Sequence, residues 1–239
     1  YSEGLRLLAR ALAPLGEVTV VAPDREQSAT GHSLTLNRPL RLQKIEENWY
    51  AVDGTPTDCS YVALNHVLKG NPPDLMLSGI NHGPNMGEDV LYSGTVAVAM
   101  EAVTLGIPGV AISFAGHDPE MLATYGSLLK RLVQQVVAVP AFPADTILNV
   151  NLPAVPASDV KGTMVTRLGS RFFSESLTRM QDPWGREMFW VGGGTITWTG
   201  GEDSDHYAVA EGYVSLTPLH MDLTNYPLLD TVRGWRLAP

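Results

Sequence analysis

The stretch Ser78-Gly-Ile-Asn81-His-Gly-Pro-Asn85-Met-Gly-Glu88-Asp89-Val-Leu-Tyr92-Ser93-Gly94-Thr95 carries side chains able to do chemistry at close spacing. Ser78, Asn81, Asn85, Asp89, Ser93 and Thr95 offer the oxygen atoms that a hard cation takes as ligands. The run that follows, Val96-Ala-Val-Ala-Met100-Glu-Ala-Val, is built of small helix-compatible residues. A helix starting there presents unpaired N–H groups and the positive end of its dipole, which suits an anion such as phosphate. Asp74-Leu-Met-Leu77, behind Pro72 and Pro73, reads as a buried strand. The polar stretch is therefore expected as a long loop from the C-terminal end of a strand to the N-terminus of a helix. Ligands of open α/β sheets bind at that edge. An ordinary Gly- and Asn-rich turn would be shorter, because long loops inside compact domains usually serve function or disorder.

A second polar loop, Pro23-Asp24-Arg25-Glu26-Gln27-Ser28-Ala-Thr-Gly31-His32-Ser33, follows the β-branched run Glu17-Val-Thr-Val-Val-Ala22. It is expected on the same sheet edge. His32 and His82 lie in the two loops and can assist proton transfer, although for each taken singly an ordinary loop histidine is the preferred reading. Asp58 follows Gly54-Thr55-Pro56, where Thr55 can cap a helix and Asp58 favours its dipole; capping is preferred over a ligand role. Cys59 reads as a packed small hydrophobe. No Gly-x-Gly-x-x-Gly follows a strand and no Walker loop exists, so a standard dinucleotide or P-loop site is unsupported. Cys-x-x-Cys and His-Glu-x-x-His are also missing, which disfavours zinc. Ser93 lacks a Gly-x-Ser-x-Gly elbow and is better read as a phosphate-binding hydroxyl than as a nucleophile.

The elements that must position these residues follow from periodicity. Gly4 to Leu12 has helical apolar spacing, and Glu17 to Ala22 reads as a strand buried on both faces. Leu34-Thr-Leu36 and Pro39 to Leu42 read as short strands, as does Trp49 to Val52. A helix is expected from Thr55 to Gly70, a strand over Gly109 to Ser113, a helix over Leu122 to Val139, and strands over Thr146 to Pro153 and Val160 to Leu168. This alternation predicts a three-layer α/β fold with a mainly parallel sheet. A chain that opens on a helix feeding a parallel strand needs a strand before Tyr1, so a short N-terminal strand and its loop are expected ahead of this sequence. From Gly169 the texture shifts to aromatics, glycines and short alternating pieces, among them Met188 to Val191, Thr195 to Trp198 and Tyr213 to Pro218. An antiparallel β-rich extension is expected there, of a kind that pairs with another subunit. Pro227 to Leu237 reads as a short amphipathic helix. The division is residues 1–168 as α/β core and 169–239 as extension of the same structural unit.

Composition sets outer bounds. A formal charge of −9 argues against a nucleic-acid polymer or an acidic membrane as partner. One cysteine allows no intramolecular disulfide, which points to a reducing compartment and a cytoplasmic location. No signal peptide is visible. Val96 to Ala115 approaches membrane-span length, but Glu101 and Gly106-Ile-Pro108 interrupt it, so helix, turn and strand are expected.

Ala22 to Leu36, Gly54-Thr-Pro-Thr-Asp-Cys59, Ser78 to Asn85 and Tyr92-Ser-Gly-Thr95 together resemble the SurE family of metal-dependent nucleotidases (survival protein SurE). So do Ile147-Leu-Asn-Val-Asn151, Asp182-Pro183 with Gly185, and Gly212-Tyr-Val-Ser-Leu-Thr-Pro218. The resemblance covers nearly the whole chain. It implies a Rossmann-like fold and hydrolysis of nucleoside 5′- or 3′-monophosphates, with short polyphosphate as a further substrate. It implies one divalent cation per subunit, Mg²⁺ or Mn²⁺, and a homodimer or homotetramer formed through the C-terminal extension. Family metal ligands fall on Ser28 and Asn81, and the phosphate-holding region on Asn85, Ser93, Gly94 and Thr95. The family also opens on a strand ending in Asn-Asp-Asp-Gly, whose aspartates hold the metal, and the match here begins just after it. The general base is accordingly expected in a segment before Tyr1. A non-catalytic nucleotide- or phosphate-binding module of the same fold is the alternative function. A serine hydrolase using Ser93 is a third, distinguished by metal-independent cleavage.

Overall fold

The structure is a computed structural model and describes residues 2–174, 177–192, 194–235 and 237. Helix α1 (Glu3–Leu12) starts where Ser2 Oγ accepts the Leu5 N–H, and it buries Leu8 and Leu12. Strands β1 (Val20–Pro23), β2 (Leu42–Glu46) and β3 (Trp49–Val52) form one small sheet in the order β1-β3-β2, with β1 parallel to β3. Helix α2 (Pro56–Val62) carries the expected cap: Thr55 Oγ1 accepts from the Asp58 N–H, and the Asp58 carboxylate accepts from the Thr55 N–H. It continues as a π-helical turn over Ala63–Val67.

The central sheet follows. It comprises β4 (Met76–His82), β5 (Gly109–Phe114), β6 (Thr146–Leu152), β7 (Thr163–Val165) and a late strand. Between these run α3 (Gly94–Thr104), α4 (Pro119–Ala123) and α5 (Gly126–Val137). Alternate residues of β5 choose the layers. Val110, Ile112 and Phe114 join Leu8, Leu12, Leu122, Leu129 and Val133 of α1, α4 and α5. Ala111 joins Val96, Ala99 and Val103 of α3 on the opposite face. That is a three-layer α/β arrangement with a central sheet whose β4, β5 and β6 run parallel.

The C-terminal third supplies antiparallel pairs: β8 (Ser170–Ser174), β9 (Leu177–Gln181), β10 (Glu187–Val191) and β11 (Thr195–Thr199), with β9 on β10 and β8 on β11. Helix α6 (Asp205–Ala210) leads into β12 (Val214–His220), and α7 (Leu229–Gly234) comes last. β12 does not lie in the ribbon to which its texture assigns it. It enters the central sheet between β6 and β7, antiparallel to the former and parallel to the latter. Val214 and Leu219 are buried there, and that burial outweighs the resemblance to its neighbours in sequence.

Other expectations move by a few residues for identifiable reasons. Residues 34–36 are not a strand: the Thr35 N–H is taken by Asp58 Oδ1 at 2.9 Å, which lays the segment against the start of α2. The strand expected to stop at Leu77 runs on to His82, with a register shift against β5 between Ser78 and Asn81. Gly79 makes this possible. Its φ is +129°, and a Cβ there would sit 2.3 Å from the Ile112 carbonyl oxygen. The helix expected over 122–139 is two helices. The break comes at Tyr125, which is buried and whose hydroxyl reaches the carbonyls of Pro153 and Val155 at 2.8 and 2.9 Å. Strand Val160 to Leu168 shortens to β7, and β1 begins at Val20, the one buried residue of that strand.

Candidate active site

The strand ends, α1 and α2 line one cavity of about 1130 Å³, bordered by both β1 and β4. Ser28, Asn81, Asn85, Ser93, Gly94 and Thr95, six residues from two distant loops, all lie on its wall. His82, Asp24 and Glu26 line it as well.

The first loop leaves the end of β1. Arg25 folds back on Asp24, Nε to Oδ1 at 2.9 Å and Nη2 to Oδ2 at 3.2 Å, and its guanidinium holds the Asp24 carboxyl below the usual range. Ser28 Oγ donates to Glu26 Oε1 at 2.8 Å. Glu26 therefore brings negative charge to the Ser28 position, a role the sequence reading did not give it. One contact binds this loop to the second one, and another binds it to α3. The Gly31 N–H donates to the Tyr92 carbonyl at 3.0 Å, and His32 Nε2 lies 2.9 Å from Glu101 Oε2 on α3. His32 is thus engaged with a helix carboxylate, while His82 is the histidine that faces the cavity.

Asn81 sits at the end of β4. Its amide nitrogen donates to the Gly83 carbonyl at 2.9 Å, and Thr95 Oγ1 donates to its Oδ1 at 3.4 Å. The nitrogen is spent on the backbone, so the oxygen is the atom turned toward Thr95 and the helix start. At that start Ser93 Oγ accepts the Val96 N–H at 3.2 Å. A capping hydroxyl accepts through a lone pair and keeps its own O–H hydrogen to donate. Gly94 allows α2 to approach, since a Cβ there would stand 2.7 Å from Pro56 Cγ. The Asn85 side chain, 7% exposed, donates to Ser113 Oγ on β5 at 2.6 Å. An amide carries two N–H hydrogens, so this bond uses one.

Asp89 is an oxygen donor by type, but it is paired with the Arg171 guanidinium of β8. Burial pushes its carboxyl up against the pull of that guanidinium. The neighbouring Glu88 accepts the Arg171 backbone N–H. Asp205 is fully buried and was missed in the sequence, where it reads only as the first residue of a helix. It accepts the N–H groups of Gly87 at 2.9 Å, Gly169 at 2.8 Å and His206 at 2.8 Å.

For a hard cation, Ser28 Oγ and the oriented Asn81 Oδ1 are suitable in type. Both are neutral, and among the described residues no three His, Cys, Asp or Glu side chains cluster closely enough to hold a metal. Their oxygen chemistry fits the expected group, and both residues lie on the wall of the same cavity. Among the described residues no helix is long and apolar enough to cross a membrane.

Comparison with known proteins identifies the family and the fold. The family model described as survival protein SurE matches residues 1–175. A protein of Gemmatimonas aurantiaca named 5′-nucleotidase SurE is 55% identical over 241 residues, covering 100% of this chain and 95% of that protein. One of the same name from Methylococcus capsulatus is 48% identical over 232 residues, covering 97% and 92%. The crystal structure of the Sure protein from Aquifex aeolicus matches with a TM-score of 0.86 at 42% identity, over 99% of this chain and 96% of that one.

Proposed function

This chain belongs to the survival protein SurE family, and from that membership we propose that it is a divalent-metal-dependent phosphomonoesterase of nucleoside 5′-monophosphates. It releases nucleoside and phosphate, with 3′-monophosphates and short polyphosphate as further substrates. The observation that carries the reading is the meeting of Ser28, Asn81 and the start of α3 on one cavity.

In this reading the phosphate rests on the unpaired N–H groups of the first turn of α3, at Gly94 and Thr95, where the helix dipole favours negative charge. The Ser93 hydroxyl and the second Asn85 N–H donate to its oxygens. These donors are fixed before substrate arrives, so they stabilise charge on the transferring group without reorganising. Ser28 Oγ and Asn81 Oδ1 would hold one Mg²⁺ or Mn²⁺ per subunit, which supplies Lewis acidity toward a phosphoryl oxygen. Thr95 serves both halves, through its N–H to the anion and its hydroxyl to Asn81. The negative formal charge suits a small nucleotide held locally rather than a polymer, in the cytoplasm. A homodimer or homotetramer forms through the extension, whose β9–β10 hairpin exposes Trp184, Trp190 and Val191.

The test is release of inorganic phosphate from nucleoside 5′- and 3′-monophosphates by the full-length protein, with Mn²⁺, with Mg²⁺ and with EDTA. Turnover that EDTA abolishes is expected. Asn81→Ala is expected to raise the metal concentration for half-maximal activity by about tenfold or more, given one lost ligand oxygen and its hydrogen bonds. Binding of monophosphates without hydrolysis in any metal would replace the reading with a binding module.

A further inference from the structure

The strand β6 reads Thr146-Ile-Leu-Asn149-Val-Asn151-Leu152, an apolar strand carrying two amides on one face. Both asparagines are 0% exposed. Burying an amide is costly unless its groups find partners, so the partners reveal what the amides hold. Both hold the same residue. Asn151 Oδ1 accepts the Asn85 backbone N–H at 2.8 Å, and Asn151 Nδ2 donates to the Asn85 carbonyl at 3.0 Å. Asn149 Nδ2 donates to that same carbonyl at 2.9 Å. Ser113, the register partner of Asn151 on β5, takes the Asn85 side-chain amide. Asn85 is 64 and 66 residues away from these asparagines in sequence, and it lies within the stretch that joins Asn81 to Ser93. A carbonyl has two lone pairs, and here both are filled from β6.

We propose that Asn149 and Asn151 are positioning residues, which set the phosphate-holding loop by clamping the main chain of Asn85 to the central sheet. The proposal rests on the phosphate site read above. The clamp acts on the loop between its two functional ends. Asn81 is held separately, by Gly83 and Thr95, so the clamp governs the anion and not the cation. Asn149 Oδ1 is a buried acceptor without a hydrogen-bond partner among the described residues. An amide kept there at that cost is kept for its nitrogen.

The experiment uses full-length wild type, Asn151→Ala and Asn149→Ala. Inorganic phosphate binding, KM for a nucleoside monophosphate, the Mn²⁺ concentration for half-activation and Tm are measured for each. Hydrogen exchange is followed in a peptide spanning residue 85. Asn151→Ala is expected to weaken phosphate binding and raise KM by about tenfold, having lost two bonds to the loop, and Asn149→Ala by about threefold. Exchange at residue 85 should quicken in the same order, while half-activation by Mn²⁺ stays within about twofold of wild type, as expected of a site with no shared partner. A folded Asn151→Ala with wild-type phosphate binding and exchange overturns the clamp. If Asn151→Ala does not fold, wild-type values in Asn149→Ala overturn it instead. A loss of Mn²⁺ affinity equal to that for phosphate also overturns it, since that marks general loosening. Wild type that binds phosphate but never turns over sinks the enzymatic reading alone, and the clamp is then decided by phosphate binding and exchange. Wild type that binds no phosphate overturns both.

Discussion

At the scale of single residues, the site divides into groups visible along the chain and groups visible only across it. Asn81, Ser93 and Thr95 stand in one polar stretch between a strand and the start of a helix, where local pattern marks them as candidates, whereas Ser28 stands out only through the family resemblance. Glu26 escaped because its bond to Ser28 depends on how a loop folds, which no periodicity encodes. Asp205 escaped because its partners Gly87 and Gly169 are 118 and 36 residues away. Asp58 shows the opposite case, with a role legible from Thr55-Pro56 and confirmed in the capping box. Burial alone would raise its carboxyl, but the bonds donated by Thr35 and Thr55 outweigh that and hold it below the ordinary range. A lowered carboxyl stabilises the fold above its unfolded pKa of about 3.9, and that contribution is lost as pH falls through the folded value. The Tm advantage of wild type over Asp58→Asn should therefore be constant near neutrality and shrink below about pH 4. An advantage that grows on acidification would reverse the assignment.

At the scale of elements, caps and strand composition were legible, and interruptions were not. The break before α5 follows from a tyrosine hydroxyl seeking carbonyls beyond β6, and the extension of β4 follows from a glycine that lets two backbones nearly touch. Both are tertiary facts imposed on locally unremarkable sequence. The join between the extension and the core is made in the same way. Asp205, at the start of α6, receives three backbone N–H groups, two of them from the 3₁₀ turn Gly87–Leu91 and from the entry to β8. Removing it leaves those buried donors unpaired. Asp205→Ala should cost about 3 kcal/mol or more in urea unfolding, because charge-assisted bonds are lost and their donors stay desolvated. A change under about 0.5 kcal/mol, ordinary for a surface site, would show that these bonds do not brace the join.

At the scale of the whole molecule, the three-layer architecture followed from the alternation of strands and helices up to residue 168. The ribbon followed from the change of texture after it. What the sequence could not show is which late strand returns to the core, because β12 and the ribbon strands are alike in composition. Strands β9 and β10 have every residue exposed, with Trp190 at 70% and Val191 at 80%. Apolar surface of this kind is expected to be covered by a second copy. Light scattering coupled to gel filtration should give a dimer or tetramer for wild type, and a smaller species for the double variant Trp184→Ser with Trp190→Ser. Wild type that is monomeric at micromolar concentration would remove the hairpin as an interface.

The return of β12 also governs the order in which the molecule can be made. β6 leaves the ribosome with one edge open, and the strand that closes that edge is synthesised only after the entire ribbon and α6. Until then the nascent chain presents an unpaired strand edge beside a core that still lacks Val214 and Leu219, the kind of edge that recruits other chains. The central sheet is completed only after the ribbon and α6 have been translated, so a ribosome stalled within the ribbon is expected to leave a chaperone client and not a smaller working enzyme.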